Sequence, residues 1–187
     1  MKDRLTLGFD SSAAHCAAAL LKGDTVLARR AEDMTRGQAE RLMPLLEELL
    51  ASQGVAWGDL HRIGVGTGPG NFTGIRIAVA TARGLSLSLD IPALGITTFE
   101  AIRMDAEGAA AVPAPRGLFH VQGRVGEVRT VPAEVLNGAT LPPEPAELAS
   151  RIARLAAIGK PGMRPAPLYL RPADAAPSRD TPPAILT

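Results

Sequence analysis

Residues Gly66-Thr67-Gly68-Pro69-Gly70-Asn71-Phe72-Thr73-Gly74-Ile75-Arg76 decide how the rest of the chain is read. Four glycines and one proline fall within nine residues. A short apolar run, 63–66, precedes them, and a long alanine-rich run, 73–89, follows and reads as a helix. A strand–turn–helix junction of this kind aims backbone N–H groups and a positive helix end at one point, which suits a phosphate or a carboxylate. The same composition also turns a sharp corner with no ligand at all. The loop alone does not separate these two uses.

Moving toward the N-terminus, Leu5, Leu7 and Phe9 alternate with Thr6, Gly8 and Asp10, the period of a half-buried strand. Ser11-Ser12 makes a turn, 16–21 reads as a second strand, Lys22-Gly23-Asp24 as a hairpin turn and 25–30 as a third strand. A helix is expected over 39–53, closed by Gly54. Beyond the glycine loop and its helix, Asp90-Ile91-Pro92 is a break, 93–97 a fifth strand and 100–104 the start of another helix. Three hairpin-linked strands followed by helix, strand, helix and strand is the order of a ribonuclease-H-like half-domain, the unit of the actin-like ATPase fold. The expected class is therefore α/β, and by fold alone it licenses no single function.

Composition changes near Arg103. Residues 1–100 hold three prolines and residues 101–187 hold thirteen. We divide the chain into a full half-domain over 1–102 and a reduced second half over 103–187. In the second half, short strands are expected over 110–112, 118–122 and 128–131, and a helix over 146–157. From Pro161 onward the Pro-rich tail lacks periodicity and reads as extended over the surface or disordered.

The chain has 187 residues and a formal net charge of +1, with 46% hydrophobic and only 3% aromatic residues. That is ample for a core, and it lacks the basic stripe or stacking aromatics of a protein that grips RNA by itself. Arginine makes up most of the basic residues, alongside abundant Ala, Gly and Pro, which fits a GC-rich coding bias better than an arginine-based function. The single cysteine, Cys16, lies in an apolar strand and reads as a small buried hydrophobe. No secretory leader and no run near the roughly 18 apolar residues of a membrane helix is visible, so a cytoplasmic protein is the default expectation.

Two helices look like surfaces. At ~100° per residue, Ala39, Leu42, Met43, Leu45, Leu46, Leu49 and Leu50 span roughly 160° of arc, wider than the ~100° that one core face requires. Either Leu45 and Leu49, at the margin, face a partner, or the helix is wedged between elements of its own domain. Pro44 sits in the first turn or kinks the helix. In the second helix, Arg76 and Arg83 share a face with Val79 and Ala80 among small residues, suited to a partner helix or to ordinary packing with two solvated arginines.

Asp10-Ser11-Ser12 ends the first strand. Asp and Ser form such turns by bonding local amides, and the residues alone favour that use over a metal–phosphate site. His15, His61 and His120 are scattered, with no pair at the spacing of helical metal ligands, so no metal site is nominated. The GxxxxGK[ST] phosphate loop is absent, and Val112-Pro113-Ala114-Pro115-Arg116-Gly117 carries no acid where a two-lobed ATPase has one.

The chain resembles the bacterial TsaB (YeaZ) family, a subunit of the machinery that makes threonylcarbamoyladenosine in tRNA. Leu7-Gly8-Phe9-Asp10-Ser11-Ser12 is similar to the family's aliphatic–Asp–Thr–Ser start, and Gln38-Ala39-Glu40-Arg41-Leu42-Met43-Pro44 to its His-Ser-Glu-x-Leu-x-Pro helix start. The longest match is Gly68-Pro69-Gly70-Asn71-Phe72-Thr73-Gly74-Ile75-Arg76-Ile77-Ala78 against Gly-Pro-Gly-Ser-Phe-Thr-Gly-x-Arg-x-Gly. Gly95-Ile96-Thr97-Thr98-Phe99-Glu100 and Leu168-Tyr169-Leu170-Arg171-Pro172 add to it. Gln38 stands where the family has His, Asn71 where it has Ser, and the second half is short.

The resemblance implies a non-catalytic subunit. Its partner would be a TsaD-type catalytic subunit, joined by a TsaE-type ATPase, with tRNA engaged only through the complex, no membrane, and a homodimer through the same surface when alone. No resident cofactor is implied, ATP or ADP entering only at the complex interface. Leu42, Leu45, Leu49, Arg76, Val79 and Arg83 would form the partner interface, and Asp10, Ser11, Ser12, Gly68, Gly70, Thr73 and Gly74 would be the phosphate- or nucleotide-proximal set. The alternative is an autonomous enzyme, either an actin-like nucleotide-using phosphotransferase or a peptidase.

Overall fold

The computed structural model describes residues 3–170. At its centre is β1 (Leu5–Asp10), antiparallel to β2 (His15–Lys22) on one side and parallel to β4 (Leu60–Gly66) on the other. β3 (Thr25–Asp33) pairs antiparallel with β2, and β5 (Ala93–Ile96) pairs parallel with β4. The resulting order, β3-β2-β1-β4-β5 with β2 reversed, is the ribonuclease-H-like sheet expected from the sequence.

One face of this sheet is covered by α1 (Gln38–Ala51) and α2 (Phe72–Leu89). Leu42, Leu45, Leu46, Leu49 and Leu50 of α1 and Ile75, Ala78, Val79 and Ala82 of α2 close over Leu7, Phe9, Leu20, Ile63 and Val65. Leu42, Leu45 and Leu49 are at most 1% exposed and Val79 3%, so all four are core residues of the chain itself. This corrects their expected place in a partner interface. The wide apolar arc of α1 exists because the helix is wedged against both the sheet and α2. Pro44 lies inside α1, on its exposed side, rather than in the first turn.

The other face is covered by α4 (Pro145–Ile158), which crosses β1, β2 and β4. Its Ala149, Ala153 and Ala156 lie directly on Gly8 and Gly64, where an added Cβ would meet α4 atoms at 2.6 and 2.7 Å. Small residues on both sides let the helix approach the sheet closely. This second cover leaves every residue of β2 but Lys22 buried. Arg62 Nη1 donates to the Ala156 and Gly159 carbonyls, a cation at the helix end that favours one.

A separate antiparallel sheet, β6 (Ala110–Ala114), β7 (Leu118–Gln122) and β8 (Arg129–Pro132), packs on α3 (Thr98–Ile102). Its core is Phe99, Ile102, Ala110 and Val112, with Val128, Leu168 and Leu170 packed against it. Relative to expectation, β3 runs to Asp33, β4 begins at Leu60, and α3 starts and ends two residues earlier than 100–104. Residues 161–170 extend over the surface as expected, and the rest of the expected tail, 171–187, lies outside the described residues.

β3 is an edge strand and is lined with Arg29, Arg30, Glu32 and Asp33, charges that discourage pairing with another chain. Arg41 of α1 makes a two-pronged contact with Glu32 at 2.6 and 2.7 Å and also reaches Glu48, while Arg30 bonds Glu48 at 2.7 Å. The Arg41 hydrogen bonds hold the Glu32 and Glu48 carboxyls below their ordinary range.

Candidate functional site

β1 delivers Asp10 to the end of the sheet, 0% exposed, and the chain turns sharply through Ser11 and Ser12. Asp10 Oδ2 accepts from the Ser12 N–H at 3.0 Å and the Ser12 hydroxyl at 2.9 Å, the self-bonded turn that the residue types favour. It also meets His15 Nε2 at 2.8 Å. Asp10 Oδ1 is the one buried side-chain polar atom among the described residues with no hydrogen-bond partner, and it faces Gly66, where a Cβ would stand 1.8 Å away.

The glycine loop closes over this turn. Asn71 N–H donates to the Ser12 carbonyl at 2.6 Å, and the Ser11 hydroxyl donates to the Gly74 carbonyl at 2.9 Å. A Cβ at Gly70 would lie 2.2 Å from the Ser12 carbonyl oxygen, and one at Gly74 1.9 Å from that of Ser11. Two glycines are therefore required by backbone-to-backbone contact, independent of any ligand. Gly68 adopts φ +88°, and its carbonyl accepts from Thr98 N–H at 2.8 Å. At the start of α2, the Asn71 side chain caps the Gly74 N–H at 2.9 Å, a role that Asn fills as well as Ser.

The expected phosphate-proximal residues thus come together in space, but bonded to one another. Asp10, Ser11, Ser12, Gly68 and Gly74 are buried, and Gly70 and Thr73 are exposed. The Asp10 carboxylate is sealed, and two amides that would face an anion serve Ser12 and Asn71. A cleft of about 310 Å³ opens beside the turn, between Pro69, Thr98, Val112 and Leu148. No Lys or Arg lines it. These residues do not fit a magnesium–nucleotide, which calls for accessible carboxylates and cationic or amide phosphate donors.

Two features escaped the sequence. The first is the Asp10–His15 contact; four residues span the β1–β2 turn, and the signal was an acid and a histidine flanking that turn. The second is a clasp at the start of α2. Arg76 sits 3.7 Å over the Phe72 ring, its Nε donates to the Tyr169 hydroxyl at 2.8 Å, and the two rings are 4.8 Å apart. Further along, Arg83 Nε donates to the Pro165 carbonyl at 2.7 Å, and Leu168 N–H donates to Thr67 O at 2.8 Å. Residues 161–170 are thereby strapped across α2 and the glycine loop. Arg76 and Arg83, expected at a partner interface, stay exposed while holding this strap.

The remaining candidates are structural. Burial pushes the Cys16 thiol up to about 11, which keeps it protonated and unreactive. His61 Nδ1 accepts from Leu5 N–H at 3.3 Å, and His120 Nδ1 lies 2.9 Å from the Thr130 hydroxyl. Among the described residues no three His, Cys, Asp or Glu side chains gather at metal-binding distance, and no helix is long and apolar enough to cross a membrane.

Residues 27–171 match the family described as TsaD, tRNA N6-adenosine threonylcarbamoyltransferase. The chain is 33% identical over 123 residues to the tRNA threonylcarbamoyladenosine biosynthesis protein TsaB of Escherichia coli K12, covering 65% of this chain and 52% of that one. With the protein of the same name from Bacillus subtilis 168 it shares 33% over 132 residues, covering 71% and 56%. The chain spans about half the length of these curated relatives. A crystal structure of an uncharacterized Pseudomonas aeruginosa protein with similarity to peptidase YeaZ superposes with a TM-score of 0.72 at 26% identity, covering 90% of this chain and all of that one. The match over most of the chain settles the family: this protein belongs to the one described as TsaD, tRNA N6-adenosine threonylcarbamoyltransferase, and the relatives and fold it shares are those of TsaB (YeaZ) proteins.

Proposed function

We propose that this chain serves tRNA threonylcarbamoyladenosine biosynthesis as a non-catalytic subunit that pairs with a TsaD-type catalytic subunit. One observation carries the non-catalytic half: the groups that an actin-like enzyme turns toward phosphate are here bonded to the chain itself. Asp10 is 0% exposed with Oδ2 held by Ser12 and His15, and Gly74 N–H is capped by Asn71. A TsaE-type ATPase joins the complex, tRNA is engaged only through it, and ATP or ADP enters only at the complex interface.

The pairing surface moves from the expected leucines to what α2 leaves exposed. Arg76, Ala80, Arg83 and Leu87 form one helical stripe, and Leu87 is 81% exposed with no packing role to lose. Leu87→Asp is expected to weaken TsaD pairing, and self-association through the same face, at least tenfold with the thermal midpoint unchanged. Unchanged pairing, measured by calorimetry, would place the interface elsewhere. Nucleotide titration tests the non-catalytic half. Tight, Asp10-dependent ATP binding with turnover would favour an autonomous phosphotransferase, whereas millimolar or weaker binding without turnover supports the subunit.

A further inference from the structure

The Asp10–His15 pair is not on the exposed α2 stripe proposed for pairing, and His15 lines the 310 Å³ cleft, a volume at the lower end of small-molecule sites. We propose that this cleft binds an uncharged nitrogen heterocycle, whose N–H donates to Nδ1 of His15.

The hydrogen-bond pattern fixes the ring. Asp10 Oδ2 already accepts from the Ser12 N–H and hydroxyl, so the third partner, His15 Nε2, is the donor. In the neutral imidazole Nδ1 is then an acceptor. The His15 side chain is 8% exposed and lines the cleft, and its one hydrogen bond is made through Nε2. With the ring neutral, Nδ1 is thus an acceptor without a hydrogen-bond partner on a side chain that lines the cleft. The hydroxyl-bearing Ser12 and Thr98 are the other polar side chains along it.

The surrounding wall selects the ligand class. Pro69, Pro113, Pro142, Val112, Leu141 and Leu148 offer hydrocarbon on rigid or branched frames. A phosphate or carboxylate would find no Lys or Arg and would face the Asp10 carboxylate behind the ring. An ammonium would leave donors unpaired against hydrocarbon. A flat, neutral ring system with one N–H satisfies the acceptor and buries the rest. The site is independent of subunit pairing, and either can fail alone.

Indole and 1-methylindole, which differ in the single N–H, are the probes. They are titrated into the isotope-labelled full chain while the His15 ring nitrogens are followed by long-range proton–nitrogen correlation. The expected result is saturable indole binding with a Kd of about a millimolar, a shift of His15 Nδ1, and at least tenfold weaker 1-methylindole binding. Leu141→Trp places a ring in the cleft from a residue that is 47% exposed, and is expected to abolish indole binding while the fold persists by circular dichroism. Equal affinity for the two probes, no saturable shift at His15, indole binding undiminished in Leu141→Trp, or displacement of indole by ATP would each overturn the assignment.

Discussion

The two faces of the five-stranded sheet are closed by opposite means. On one, α1 and α2 bring Leu42, Leu45, Leu46, Leu49 and Ile75 against Leu7, Phe9 and Val65, and stability comes from large side chains removed from water. On the other, α4 sets Ala149, Ala153 and Ala156 on Gly8 and Gly64, and the fit comes from leaving side chains out. The first face is sensitive to what is taken away and the second to what is added. The glycine loop belongs with the second kind, since Gly70 and Gly74 are spaces that the Ser11–Ser12 backbone fills.

Changes at four positions would break or sharpen this contrast. The largest effect is expected on the leucine face. Leu45→Asp should abolish folding, because it strands a charge where the native residue is 0% exposed, and Leu45→Ala should cost about 2–5 kcal/mol in urea unfolding. A stable Leu45→Asp chain that fails only to pair would restore Leu45 to a partner surface. On the alanine face, Gly64→Val must displace the Ile152 carbonyl at 2.8 Å and is expected to cost about 1–3 kcal/mol, or more if α4 lifts away. Gly64→Val as stable as the parent would show that α4 is not seated so closely.

Tyr169→Ala should cost about 1 kcal/mol or less, since the Arg76 contact is partly solvent-exposed. Its signature is local: faster hydrogen exchange at Leu168 N–H, with the β1 amides unchanged. Equal exchange at Leu168 would mean the strap is held elsewhere. The smallest effect belongs to Arg41. Glu32 and Glu48 have lowered carboxyl values in the folded chain, so their contribution is present above the ordinary value near 4.5 and fades as pH falls through the lowered one. Arg41→Gln should therefore lower the thermal midpoint slightly at pH 7 and leave it unchanged at pH 2; an equal loss at both would assign Arg41 a packing role.

Much of the fold was legible because its signals are local. Alternation in 5–10, the Gly23 turn, and the Pro and Gly stops around α2 each specify an element within a few residues. The glycine loop announced a close approach as well as an anion site, and only the Ser11 and Ser12 carbonyls, more than fifty residues upstream, decide between them. The arc of α1 was equally ambiguous, because a helix wheel counts apolar degrees without saying which neighbours fill them. The cover that buries β2 comes from α4, over a hundred residues further along the chain, and no local pattern in β2 points to it. His15 and Tyr169 escaped for the same reason, their partners being set by chain reversal rather than by spacing.

The central claim is that this chain supports modification of tRNA without performing chemistry through Asp10. The direct test is threonylcarbamoyladenosine formation in a reconstituted mixture of TsaD-type and TsaE-type partners, threonylcarbamoyl-adenylate, ATP and unmodified tRNA. It is run without this chain, with it, and with Asp10→Asn, which retains the side-chain shape and an acceptor oxygen. The account predicts no product without the chain and undiminished product with folded Asp10→Asn. Equal product in its absence, or loss of product with a folded Asp10→Asn chain, would contradict it.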